Sequence, residues 1–159
     1  MKTASLHEIK KELSTLKATT LLDLCMGLAK YKKENKELLT YLLFEAHDEA
    51  AYIESVKNEI DDQFMEVPDR NLYFVRKSLR KILRMTNRQI RYSGIRQSEI
   101  EIRIHFCTCL KDSGISLGGS VAISNLYQQQ LKKVKASLSK LPEDLQYDYH
   151  NSVSYLAQP

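Results

Sequence analysis

His105, Cys107 and Cys109 form the closest group of soft ligands in the chain, and zinc is the chemistry that such residues would support. On a helix, a four-residue step puts His105 and Cys109 on one face and turns Cys107 to roughly the opposite side. Structural zinc takes four ligands, usually in close pairs such as Cys-x2-Cys, and no second pair is present. Cys25 or His47 would complete a set only by coincidence of folding. The expectation is therefore no metal and no cofactor, with buried structural thiols instead.

Other chemistries find less support. Glu45-Ala46-His47-Asp48-Glu49 and Glu101-Ile102-Arg103-Ile104-His105 come near the Glu-x-x-His pattern of di-metal bundles, but neither has its spacing. Gly114-Ile115-Ser116-Leu117-Gly118-Gly119-Ser120 offers backbone amides, yet lacks the preceding strand and following Lys-Ser/Thr of a nucleotide loop. It reads as a helix end at Gly114 and a new helix capped by Ser120. His7, His47, His105 and His150 are scattered, and His150 shares no helix face with its neighbours Asp148 and Tyr149. No motif organises a nucleophile, so the chain is expected not to be an enzyme.

Charge is the stronger signal. The net +4 conceals a segregation: residues 1–68 hold 9 Lys and Arg against 13 Asp and Glu, whereas residues 69–103 hold 10 against 3. From Asp69 to Ser93, Leu72, Val75, Leu79, Ile82, Leu83, Thr86 and Ile90 share one helical face. Arg70, Lys77, Lys81, Arg84, Arg88 and Arg91 fall within about 80° on the opposite face, flanked by Arg76 and Arg80. Such a row suits phosphates of RNA or DNA, with Tyr73, Phe74 and Tyr92 placed to stack on bases. It equally suits pairing with Glu54, Glu59, Asp61, Asp62 and Glu66 on the preceding helix. Branched core residues and the lack of Trp make the same helix a poor membrane anchor.

These residues require helices to hold them. Five Gly and three Pro in 159 residues leave few breaks. Ser5 and Glu8 form a capping box for a helix to about Leu16, and Thr19-Thr20 begins a second. Leu38, Leu39, Tyr41, Leu42, Leu43 and Phe44 are apolar almost all round, which predicts the most buried helix. Asp48 starts an acidic helix with Ala51, Tyr52, Val56, Ile60, Phe64 and Val67 facing inward, and Pro68-Asp69 separates it from the basic one. Gly94 closes the basic helix. Residues 100–106 alternate strictly, a strand pattern, but one strand without a partner makes no sheet, so 98–110 is assigned to helix. Ser120 caps a helix to about Leu138, and Pro142 opens the last, to about Leu156. The sum is a single all-α domain, residues 1–159, of about eight helices in antiparallel hairpins, either a bundle or a short stack.

Within it, Leu21 to Phe44 places two leucine-rich helices around Lys32-Lys33-Glu34-Asn35-Lys36. This segment resembles a hairpin of the HEAT-like helical repeats, and its phrasing is similar to small bacterial all-helical proteins of unknown function. The resemblance implies a scaffold shape and assigns no functional residue.

Met1 to Glu8 carries no hydrophobic signal region, and no apolar run approaches the roughly 20 residues that span a bilayer. With three cysteines, the reading is a cytoplasmic protein with free thiols and no membrane role. The expected function is a non-enzymatic interaction or scaffold domain that binds a protein partner or itself. The alternative is nucleic-acid binding through Arg76, Lys77, Arg80, Lys81, Arg84, Arg88 and Arg91. What separates them is whether that face is open to solvent.

Overall fold

The computed structural model describes residues 2–68 and 71–158. Among them the chain is all-helical with no strand: α1 (Leu6–Leu13), α2 (Ala18–Tyr31), α3 (Lys33–Thr40), α4 (Glu49–Met65), α5 (Leu72–Ser93), α6 (Arg96–Asp112), α7 (Val121–Leu138), α8 (Glu143–Asp148) and α9 (His150–Ala157). A π turn, Tyr41–Glu45, continues from α3. The chain divides into two compact units, residues 1–44 and 45–159.

The first unit opens on the expected capping box. Glu8 N–H donates to Ser5 Oγ at 3.3 Å, and Ser5 N–H donates back to the Glu8 carboxylate at 2.7 Å. Helices α2 and α3 pack as a hairpin with only Lys32 between them, extended at φ −143°. The polar run around Lys32 is therefore mostly helix rather than loop. Asn35 Nδ2 donates to the Leu28 carbonyl at 2.8 Å and satisfies one of the acceptors that the end of α2 leaves over. No side chain of α1, α2 or α3 is buried. The segment expected to be most buried is mostly open: Leu42, Leu43 and Phe44 are 56%, 62% and 67% exposed, although Tyr41 is buried. An all-round apolar helix is buried only where neighbours surround it, and within this unit α3 packs chiefly on α2.

In the second unit, hydrogen bonds fix the helix directions. Ser93 Oγ donates to Glu49, and Tyr52 Oη donates to the Gln89 carbonyl at 3.0 Å, so α4 and α5 run antiparallel. Arg103 to Gln130 and Ser137 to Glu99 make α6 and α7 antiparallel. Asp61 with His105 and Lys57 with Glu101 keep a constant offset, which makes α4 and α6 parallel. Asp48 caps α4, its carboxylate accepting from Ala51 N–H, and Asn71 caps α5 by accepting from Tyr73 N–H at 2.9 Å. The sequence reading began α5 at Asp69, and both Asp69 and Arg70 lie outside the described residues. Gly94, at φ 66°, ends α5 in the left-handed region as expected.

Helix α6 is central, packed against α4, α5, α7 and α9. Ile100, Ile102, Phe106, Cys107 and Leu110 are wholly buried, and Phe64 meets Phe106 at 5.6 Å between ring centroids. Each such side chain contributes roughly 1.5–3 kcal/mol through burial. The buried positions of α6, from Ser98 to Leu110, sweep roughly 200° of its circumference at 100° per residue. That breadth is why its sequence alternates like a strand. One charge lies inside this core: Arg103 is 6% exposed, and its guanidinium donates to Glu99 at 2.8 Å, Asn87 at 2.9 Å and Gln130 at 2.7 Å.

The last helix is tied down at its C-terminal end. Tyr127 Oη donates to the Leu156 carbonyl at 2.8 Å, and Lys111 Nζ donates to the carbonyls of Tyr155 and Gln158 at 2.6 and 3.0 Å. The same ammonium stands 4.4 Å from the centroid of the Tyr155 ring.

Candidate binding faces

The basic face of α5 is open. Lys77, Arg80, Lys81, Arg84 and Arg91 are exposed and form no ion pair among the described residues. Arg76 is half-covered and donates from Nε to the Leu72 carbonyl of its own helix. Arg88 is also half-buried. Burial on α5 reaches Met85, which was not expected in the core, while Leu72 stays exposed. The open arc therefore turns toward Arg76, Arg80 and Arg84 and away from Arg88. A groove of about 670 Å³ runs beside Tyr73, Arg76, Lys77, Arg80, Leu83, Arg84 and Asn87. Tyr73 and Phe74 are exposed beside it, packed edge to face at 5.4 Å.

The acidic helix spends its charges elsewhere. Glu54 takes Lys57 at 2.6 Å, and that hydrogen bond holds its carboxyl below the ordinary range. Glu59 accepts from Gln63 and Gln89, and Asp61 faces α6. Pairing of Lys77, Arg80, Lys81, Arg84 and Arg91 with α4, one of the two arrangements the sequence allowed, is not what the described residues show.

His105 and Cys109 share a face as the helical spacing required, and Cys107 is turned into the core. The parallel packing of α4 brings Asp61 between them. His105 Nε2 lies 2.7 Å from Asp61 Oδ1, and Cys109 Sγ donates to the same oxygen at 3.2 Å. The three ligand atoms lie within 4.8 Å of one another. As a nucleophile the thiol is poorly disposed. It addresses a carboxylate rather than the imidazole, and burial together with Asp61 pushes it up to about 12. Burial alone raises Cys107 to about 12 against the opposing pull of Arg103. Cys25, expected to be buried, is exposed on α2. His47 and His150 are exposed.

A third feature was invisible in the sequence except as leucines. In the first unit, an open groove of about 610 Å³ is floored by Met26, Ala29, Leu39, Leu43 and Phe44. Lys30, Lys32, Lys33 and Lys36 rim it. These residues come together because α2 and α3 turn about Lys32, which carries the basic run of the turn to the groove's edge.

Among the described residues, no helix is long and apolar enough to cross a membrane. No family model, no curated protein and no solved structure matches the chain.

Proposed function

We propose that the chain is a non-enzymatic helical interaction module that receives an acidic, apolar helix of a protein partner in the groove of the α2–α3 hairpin. The observation that carries this reading is the exposure of Leu42, Leu43 and Phe44 in a unit whose three helices bury no side chain. Of these, Leu43 and Phe44 line the groove together with Met26, Ala29 and Leu39, and an apolar groove rimmed by polar residues suits a binding site. Amphipathic helices dock in such grooves through apolar residues spaced three and four apart. The four rim lysines favour Glu and Asp on the partner's polar side and speed its approach.

The test uses a labelled synthetic helix with Leu at positions i, i+3, i+4 and i+7 and Glu elsewhere. It should bind the full chain, more weakly as salt rises, and Leu43→Glu with Phe44→Glu should abolish binding without loss of helicity. Light scattering on the same samples asks whether a second copy is the occupant, since a dimer dispersed by the double variant would identify it. A monomer that ignores the peptide, with or without the substitutions, overturns the reading.

A second reading rests on the open face of α5. Five cations that form no ion pair among the described residues and two exposed aromatic rings suit single-stranded RNA or DNA, with phosphates on the charges and bases on Tyr73 and Phe74. Five phosphate contacts imply a slope of about −3.5 in log affinity against log salt for a single strand, roughly a hundredfold loss between about 50 and 200 mM. Titration with RNA and DNA oligomers at those two concentrations measures it. Loss of binding in Lys77→Glu, Lys81→Glu and Arg84→Glu combined would support this reading, and no binding at low salt would end it.

A further inference from the structure

We propose that Asp61, His105 and Cys109 form a binding site for a single zinc-type divalent cation, with three protein ligands and a fourth position left to water. Three observations support it, and they are independent of the groove and of the basic face.

The first is convergence. One carboxylate oxygen, one imidazole nitrogen and one sulfur, from two helices, lie within 4.8 Å of one another. The hydrogen bonds from Cys109 and between His105 and Asp61 meet at a single oxygen, Asp61 Oδ1. A tetrahedral ion with bonds of about 2.0–2.3 Å separates its ligand atoms by about 3.3–3.8 Å. The 2.7 Å contact must open by about 0.7 Å, and the 3.2 Å contact by less. The His105 nitrogen and the Cys109 sulfur, up to 4.8 Å apart, must close by up to about 1.2 Å.

The second is rigidity. His105 and Cys109 are four residues apart on α6, whose opposite side carries the fully buried Cys107 and whose flanks carry the fully buried Phe106 and Leu110. Their spacing is thus set by the helix itself, and Asp61 is set by the parallel register of α4, which Lys57 and Glu101 repeat one turn earlier.

The third is donor chemistry. Imidazole with thiolate selects zinc, cobalt or nickel over magnesium and calcium, which take oxygen ligands. Asp61 and the Cys109 thiolate bring two negative charges, so the loaded site is neutral, as suits its half-buried position. On binding, the S–H bond breaks, the proton leaves to solvent and an S–metal bond forms. The proton that His105 Nε2 donates to Asp61 passes through solvent to Nδ1, which frees the Nε2 lone pair for the ion. Asp61 gives up both accepted hydrogen bonds to ligate it. With only three protein ligands, the coordination resembles sites that hold a reactive water more than closed structural ones.

Cobalt(II) is the probe. The full chain carrying Cys25→Ser, which removes the exposed thiol, is titrated with Co2+ after removal of metal. The expected result is one ion per chain, with a thiolate-to-cobalt charge-transfer band in the near ultraviolet and the visible bands of four-coordinate cobalt, all bleached by one equivalent of Zn2+. Cys109→Ser should remove the charge-transfer band. Asp61→Asn, which preserves an oxygen to accept both hydrogen bonds, should weaken binding by about tenfold or more, as loss of a ligand charge requires. Circular dichroism establishes that each variant is folded, and if one is not, the other carries the test. Absence of a charge-transfer band at millimolar Co2+, or its persistence in folded Cys109→Ser, overturns the proposal.

Discussion

Helices α5 and α6 are consecutive, joined through Gly94 and Ile95, and both carry arginines, but they handle charge in opposite ways. On α5 the charges stand in solvent, with Lys77, Arg80, Lys81, Arg84 and Arg91 unpaired among the described residues. On α6, Arg103 lies in the core with Nε bonded to Glu99 and Nη1 to both Asn87 and Gln130. A solvated cation adds little to stability and remains available to a ligand. A buried one is committed to its partners and costs much if they are left without it. Position around the helix, not residue type, separates the two roles.

Removing Arg103 should do the greatest damage. Arg103→Met strands Gln130 and Asn87 and leaves the Glu99 carboxylate without its cation, so unfolding in denaturant should show a loss of about 3 kcal/mol. Alkaline titration probes the same core. The folded chain holds the Cys107 and Cys109 protons to about 12, against an ordinary 9.0. Above pH 9 the unfolded chain sheds protons that the folded chain keeps, so stability falls as pH rises through that range. A melting series from pH 8 to 11 should show that decline, and Cys107→Ala with Cys109→Ala should flatten its first part. Gly94→Ala, at the junction, meets no atom within 4 Å but must hold φ at +66°, a strain of about 1 kcal/mol measurable in the same denaturant experiment. Smallest of all, Lys81→Gln should change stability by no more than about 0.5 kcal/mol. A larger loss there would mean that the stripe is holding the fold together.

The same contrast explains what could be read from the chain. Helix α5 has a core on one side and water on the other, so its period of 3.6 was plain, while the burial of Met85, the exposure of Leu72 and the rotation of the stripe toward Arg76 and Arg80 went unseen. Helix α6 has neighbours on most sides, and its apolar positions lose the one-sided rhythm that marks a helix. Its assignment rested on the lack of a second strand. The caps at Ser5, Asp48 and Gly94 were legible because each is a local hydrogen bond or a local torsion. Asp61 was not legible as a neighbour of His105. The two are 44 residues apart, and only the register of α4 against α6 joins them. The segment 38–44 failed for the reverse reason: its apolarity was real, but apolarity does not supply a covering layer.

Lys111 has a consequence for motion. The final turn of a helix ordinarily frays, because its carbonyls lack partners. Here the ammonium of Lys111 and the hydroxyl of Tyr127 hold two of those carbonyls, at Tyr155 and Leu156, and that of Gln158 just past the helix, to α6 and α7. The amides of α9 should then exchange with deuterium at the pace of α6 and α7 rather than at the pace of a loose end. In Lys111→Ala that protection should drain from α9 first, while the central helix keeps its own.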